Sequence, residues 1–311
     1  MNISDFGLSN HFKQLSLKYD ESHEVLWTYF NQKNIIPCAN HEIVHELLQH
    51  QQEVEKSAGV LYSNDRIYQV RYSVAASLTP NVFNLGGQLA LIRELALNRN
   101  KEALLYYAIK GIDAVYSRLS RFNGAPIVNI TLVQGLALGG GLGLEGALAS
   151  DVIIAERKSY FGFPEILFNM FPGMGGYSLV ARKAGMKVAD EMILKGKQYT
   201  AEQAFDLGIV DVLVEDGQGE KAVYEWIEKN KRYYNGYLAA QRAKNRVNPI
   251  TYDELLDITK IWVDAALKLG EREFSIMDRF IYSQEKQYLN ALSPQTPAVA
   301  DNVVSFKRTA T

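Results

Sequence analysis

Glu145 and Glu165 stand twenty residues apart, one after a glycine cluster and one after a proline. Upstream, Gly86-Gly87 ends the run Val82-Phe83-Asn84-Leu85, and Gly139-Gly140-Gly141 follows the apolar run 127–134. Glycine turns after strands can present backbone N–H groups. Two such groups aimed at one oxygen make an oxyanion hole. A close second carboxylate and an apolar wall raise the pKa of one glutamate, which suits a general acid and base working on neighbouring carbons. Glu145 is expected at the start of a short helix. Glu165 follows Pro164, a residue favoured at helix starts, and a helix N-terminus stabilises a carboxylate. The plainer reading is that the glycines only turn the chain and each Glu caps a helix. The pattern alone leaves both readings open.

Two other motifs offer different chemistry. His41-Glu42-Ile43-Val44-His45 reads H-E-x-x-H, which on a helix can place two His on one zinc and a Glu on a water. Against this, Glu46 puts a charge beside the second His. No third ligand is evident: His50 is only five residues on, and all five histidines (11, 23, 41, 45, 50) lie in the first fifty residues. The plain alternative is the polar face of an amphipathic helix. Gly141-Leu142-Gly143-Leu144-Glu145-Gly146 fits G-x-G-x-x-G, with Glu165 at a distance suited to a ribose. A dinucleotide fold needs a full crossover helix, however, and the apolar run 152–155 begins only a few residues after Gly146. Glu165 also sits in a Phe-Pro-Glu turn rather than at a strand end.

The elements that must position these residues follow from periodicity. Residues 24–30, 67–76, 127–134, 152–155 and 209–214 read as strands. Residues 40–57 read as an amphipathic helix, 88–121 as a long helical region broken near Asn98-Arg99-Asn100, and 145–150 as a short helix. Residues 160–165 read as an aromatic turn, and 236–290 as two or three amphipathic helices. The end from Ser293 lacks periodicity and reads as a mobile tail. Strands alternating with helices imply an α/β core with a helical appendage. Residues 125–144 carry no charge, but their glycines and polar side chains oppose a membrane helix. No secretory signal is visible, and a lone cysteine, Cys38, rules out an internal disulfide; a cytoplasmic setting is expected. A net charge of −2 gives no overall field to hold nucleic acid or an anionic membrane.

The run from Ala137 to Ser178, through the glycine turn and the F-G-x-P-E turn, resembles the crotonase (enoyl-CoA hydratase/isomerase) superfamily. Residues 200–211 look like the segment that closes the core of that fold. Within the superfamily the sequence is most similar to bacterial diffusible signal factor synthases. That likeness rests on Val82–Gly87, Phe171–Ser178, Ile261-Trp262-Val263-Asp264 and Met277-Asp278-Arg279, and the whole resemblance covers roughly residues 60–290.

The resemblance implies a crotonase-like α/β core built as a spiral of ββα units over residues 1–230. A helical region over 231–290 would form the acyl pocket and the oligomer contacts, followed by a tail at 291–311. It implies Glu145 and Glu165 as the catalytic carboxylates and Gly87 N–H as one oxyanion donor. Gly86, Gly141, Gly173, Trp262 and Phe280 would contact substrate. The glycine turn is two residues longer before the Glu than in the family. Counting back from Glu145 makes Leu142 the second donor; counting forward from the glycines makes it Gly140. Gln88 stands where these synthases commonly carry Asp.

The implied reaction is dehydration of a 3-hydroxyacyl thioester on acyl carrier protein, then thioester hydrolysis to a free cis-2-unsaturated fatty acid signal. The alternative is a CoA-linked hydratase or isomerase of fatty-acid or polyketide metabolism. A third reading keeps the fold as a binding module without catalysis. No metal or redox cofactor is required. A sensor-kinase receiver domain and a homo-oligomer, trimer or hexamer, are the partners the family suggests.

Overall fold

The computed structural model describes residues 12–32, 35–63 and 66–292, so the expected tail from Ser293 lies outside the described residues. The strands β1 (Leu15–Asp20) and β2 (Val25–Phe30) form an antiparallel hairpin. α1 (His41–Lys56) follows, capped by Asn40, whose side chain accepts the Ile43 N–H. An antiparallel pair, β3 (Val60–Ser63) and β4 (Arg66–Gln69), then leads into β5 (Tyr72–Ser77). The run 67–76 is therefore two strands, not one. The chain changes partner at Val70 and Arg71, whose N–H groups bond Gly59 O and Glu24 O.

From β5 on, one unit recurs. β5 lies in a six-stranded sheet, and β6 (Asn81–Asn84) lies in a four-stranded one. The helices α2 (Leu89–Leu97) and α3 (Lys101–Leu119) and the left-handed turn α4 (Arg121–Gly124) follow. β7 (Val128–Val133) returns to the large sheet, β8 (Gly135–Leu138) to the small one, and α5 (Leu144–Leu148) follows. The third pass is β9 (Val152–Glu156), β10 (Tyr160–Gly162) and a 3-10 turn, Pro164–Phe168. This is the expected spiral of ββα units. After α6 (Gly176–Ala184) and α7 (Met186–Lys195), β11 (Gln198–Thr200) and β12 (Val212–Val214) close the two sheets on either side of α8 (Ala201–Asp206). Of the strand expected over 209–214, only the last three residues pair.

β8 and β10 escaped the sequence reading. The glycine turn does not follow 127–134 directly, and the supposed turn at 160–165 begins with a strand. Both strands are too short to show alternation.

The large sheet runs β1-β2-β5-β7-β9-β12, and its members from β2 onward are parallel. Every residue of Val25–Phe30 and Val128–Val133 is buried, as in a parallel sheet covered on both faces. α9 (Gly219–Asn230) covers one face through Val223 and Ile227. Ile43 and Leu47 of α1 and Ala114 and Val115 of α3 pack with Phe30, Val133 and Ile153 on the other side.

The last segment is helical: α10 (Tyr234–Val247), α11 (Tyr252–Ala266) and α12 (Glu271–Leu292). Trp262 and Val263 of α11 and Phe274 and Met277 of α12 bury themselves with Ile92 of α2, Leu104 and Ile112 of α3, and Phe168 beyond Glu165. Among the described residues no helix is long and apolar enough to cross a membrane.

Two glycine substitutions test this geometry in opposite directions. Gly86 has φ +81°, and a Cβ there would meet Leu138 O at 2.7 Å. Gly86→Ala should cost about 2 kcal/mol or more from left-handed strain and backbone displacement. Gly236, inside α10, has nothing within 4 Å of an added Cβ. Gly236→Ala should stabilise by about 0.5–1 kcal/mol. Denaturant midpoints of the two variants check both signs.

Candidate active site

The small sheet runs β11-β10-β8-β6, with β6, β8 and β10 parallel. Parallel neighbours end side by side, so the three turns after them are adjacent. Gly86-Gly87 follows β6, the glycine cluster follows β8, and Phe163-Pro164-Glu165 follows β10. The cluster therefore sits between the other two. A Cβ on Gly139 would stand 3.0 Å from Glu165 Oε1 and 3.5 Å from Gly86 Cα. One on Gly140 would stand 2.9 Å from Glu145 Oε2. No side chain fits between the two carboxyl groups.

Both carboxyl groups are buried, Glu145 fully and Glu165 to 8% exposure. Glu145 accepts three backbone N–H groups: Gly141 at 2.5 Å on Oε2, and Met174 at 3.0 Å and Gly176 at 2.7 Å on Oε1. Gly176 opens α6, so Glu145 caps that helix rather than its own. The Met174 amide is set by Gly173, where Trp262 leaves no room for a Cβ: its Cγ would lie at 2.3 Å. Thr259 Oγ1 holds Gly173 O at 2.9 Å. Glu165 Oε1 accepts the Gly140 N–H at 2.7 Å, while Oε2 is buried without a hydrogen-bond partner among the described residues. An unpaired buried carboxyl oxygen is costly unless something fills its place.

Burial pushes both groups up, Glu145 to about 8 and Glu165 to about 7. The N–H groups pull each of them down, and the Glu165 charge raises Glu145 further. Near neutral pH such a pair holds one or two protons, with macroscopic rather than private titrations.

The glycine turn folds back on itself. Leu144 N–H bonds Gly139 O at 2.9 Å, and a Cβ on Gly143 would lie 1.9 Å from Leu138 O. Of the two candidate second donors, Gly140 directs its N–H at Glu165. Leu142 buries its side chain in the core beside Ala39, Phe83 and Val133, and its N–H makes no hydrogen bond among the described residues. Gly141 also packs 3.5 Å, measured from an added Cβ, against Ala39. Gly87 N–H likewise donates to no group among the described residues. Gln88 begins α2 without capping it by its side chain.

Trp262 and Phe280 both reach this region. Phe280 meets Phe168, three residues beyond Glu165, with ring centroids 5.3 Å apart.

A family model, enoyl-CoA hydratase/isomerase, matches residues 40–258. The chain belongs to the enoyl-CoA hydratase/isomerase family. Solved structures share its fold. An enoyl-CoA hydratase/isomerase from Xanthobacter autotrophicus Py2 is 20% identical, with 91% of this chain and 100% of that one covered and a TM-score of 0.68. An enoyl-CoA hydratase from Mycobacterium avium subsp. paratuberculosis K-10 is 17% identical over 88% and 97%, with a TM-score of 0.68. One from Bacillus anthracis is 20% identical over 88% and 97%, with a TM-score of 0.64.

The competing motifs have structural uses in this member of the enoyl-CoA hydratase/isomerase family. His41 and His45 are exposed, and Glu42 bonds Lys13 Nζ and Gln14 Nε2 at 2.8 Å each. Glu46 is buried and accepts the backbone N–H groups of Lys13, Gln14 and Leu15. Among the described residues no group of three His, Cys, Asp or Glu could hold a metal. The G-x-G-x-x-G turn spends its Gly141 N–H on Glu145, and the five-residue α5 is no crossover helix. Sequence reasoning missed the Met174 and Gly176 amides, although Pro172-Gly173 and Gly175-Gly176 mark a turn there.

Glu165→Gln tests the carboxyl's burial. In the native state its pKa is raised to about 7 from an ordinary 4.5, so the folded protein holds a proton that the unfolded chain releases. Through Glu165, wild-type stability should fall as pH rises from 4.5 to 7, by about 3 kcal/mol, while Glu145, raised to about 8, adds its own fall in both proteins. The glutamine variant lacks the first of these losses. Its melting temperature relative to wild type should rise across that window.

Proposed function

We propose that this protein catalyses reversible hydration of a 2-enoyl thioester carried on CoA, using Glu145 and Glu165 as an acid–base pair. The observation that carries the reading is the pair itself. Two buried carboxyl groups flank one glycine turn, and Glu165 Oε2 lies buried and unpaired beside it. Family membership and the similarity to structures named as enoyl-CoA hydratases support the CoA carrier.

In the dehydration direction one glutamate takes the C2 proton, and the electrons move toward the thioester oxygen. The other, protonated, donates to the leaving 3-hydroxyl; water departs and the C2–C3 double bond forms. Hydration is the reverse. Both directions pass through an enolate-like state with negative charge on the thioester oxygen, which two N–H groups stabilise. Gly87 supplies one, from β6's turn. Gly140 supplies the other, because its N–H points to the place where Gly139, Glu165 and the Gly86 turn converge. A thioester oxygen taking that N–H displaces Glu165 Oε1. Losing a donor to its charged form makes Glu165 a stronger base as the substrate seats. Met174, Trp262, Phe168 and Phe280 give the acyl chain an apolar wall.

Purified protein given a trans-2-enoyl-CoA should form the 3-hydroxyacyl-CoA. Glu145→Gln and Glu165→Gln should each lower kcat/KM by about 10²–10⁴. Unchanged kcat/KM in both would contradict the acid–base role, and a wild type that does not turn over would leave the binding-module reading. The same mass spectra, with 3-hydroxyacyl carrier protein as a second substrate, read carrier preference and any free cis-2-enoic acid.

The pH profile should be a bell. Below about 7 the base is protonated and the rate falls; above about 8 the acid has lost its proton and the rate falls again. A profile flat from pH 5 to 10 would contradict a two-carboxyl mechanism.

A further inference from the structure

Gly87 belongs to a segment in which the neighbouring polar backbone groups are tied down. Leu85 N–H bonds Pro37 O at 2.8 Å, and Gly86 N–H bonds the Asn84 side chain at 2.9 Å. Gly86 O accepts Ala39 N–H at 2.7 Å. Gln88 N–H donates to the Tyr107 hydroxyl at 2.9 Å, and that hydroxyl donates to Ala39 O at 2.8 Å. Gln284, on α12, donates Nε2 to Leu85 O at 3.0 Å and to Gly87 O at 3.3 Å. Among the described residues, the amide left over is Gly87 N–H.

Two of these ties come from far along the chain. Tyr107 lies on α3, is only 4% exposed, and its hydroxyl would be 3.4 Å from a Cβ on Gly87. Gln284 lies nearly two hundred residues away, on the helix whose Phe280 packs on Phe168. Met277, Phe280 and Gln284 follow the i, i+3, i+7 spacing of one helix face. That face reaches from the turn bearing Glu165 to the turn bearing Gly87. Arg93 of α2 anchors the helix through Asp278, with Nε to Oδ1 at 2.7 Å.

We infer that Tyr107 and Gln284 are positioning residues of the oxyanion hole: together they fix the Leu85–Gly86 and Gly87–Gln88 peptides, which flank the peptide bearing the Gly87 N–H, and so aim that N–H at the substrate carbonyl. Tyr107 fixes the Gly87–Gln88 peptide by bridging its N–H to the carbonyl of Ala39, whose own N–H holds Gly86 O. Gln284 grips the carbonyls of Leu85 and Gly87 from the solvent-side helix. The phenol suits its place because it accepts one backbone N–H and donates to one backbone C=O at once. This inference rests on the acyl-CoA reading above.

The test uses full-length protein, the variants Tyr107→Phe and Gln284→Leu, and two probes. Butyryl-CoA labelled with carbon-13 at the thioester carbonyl has no double bond to hydrate, so its bound carbonyl stretch reads polarisation by difference infrared spectroscopy. A trans-2-enoyl-CoA reads turnover. Wild type should shift the carbonyl band to lower frequency. Each variant should return the band toward its free position and lose about 10- to 100-fold in kcat, with KM within about twofold. Gln284 is half-buried on α12, so its variant keeps the test alive if Tyr107→Phe does not fold. Variants with lowered melting temperature but a wild-type band and kcat would overturn the inference, since a packing role alone predicts that result. Wild-type turnover without any band shift would also overturn it, because Gly87 would then not grip the carbonyl. Wild type that neither binds nor turns over these thioesters would defeat the functional reading itself, and this inference with it.

Discussion

A carboxyl group taken out of water must find donors, and here the donors are backbone N–H groups. Glu145 takes three and Glu165 takes one. Only glycine lets the main chain come so close to two carboxyl groups from one turn; an added Cβ on Gly139 or Gly140 would land about 3 Å from a carboxyl oxygen. The asymmetry between the two groups follows from the same turn. Glu145 has both oxygens engaged and is held in place. Glu165 has one oxygen without a hydrogen-bond partner among the described residues, which leaves it the more available to a substrate.

The ββα spiral exists, from the site's point of view, to end three parallel strands together. β8 is central in the small sheet, and so its glycine turn lies within reach of the turns on either flank. The large sheet behind is buried on both faces and gives this edge a stiff backing. The helices after residue 230 complete the enclosure. α11 sets Gly173 through Trp262 and Thr259, and α12 touches both the Phe168 turn and the Gly86-Gly87 turn. Residues far apart in sequence thus converge on a few peptide groups.

Much of this was legible in the sequence, for identifiable reasons. The runs 24–30 and 127–134 are long and apolar, and α1 carries a clear stripe and cap; local pattern suffices there. The break between α2 and α3 was marked by Asn98-Arg99-Asn100, where Arg99 adopts φ +52°. Glu145, Glu165 and the glycines were marked by residue type. β8 and β10 were hidden because strands of three or four residues have no measurable period, and their identity comes from their neighbours. The donors to Glu145 from Met174 and Gly176 were hidden because backbone amides leave no trace in side-chain types. Gln284 was hidden for another reason: a polar residue on a long amphipathic helix reads as solvent-facing. How Gly140 and Leu142 differ needed the fold of the glycine turn, which packs the Leu142 side chain inward and engages the Gly140 N–H with Glu165.

The proposed chemistry has this pair of glutamates move a proton at the carbon next to a thioester carbonyl. Exchange of deuterium into C2 of butyryl-CoA, followed by NMR in deuterated buffer, tests that step apart from any event at C3. The wild-type protein should exchange, and the rate should slow at least a hundredfold when the glutamate that takes this proton becomes glutamine. Exchange that persists at the wild-type rate in both Glu145→Gln and Glu165→Gln, or a bound thioester that never exchanges in the wild type, would contradict it.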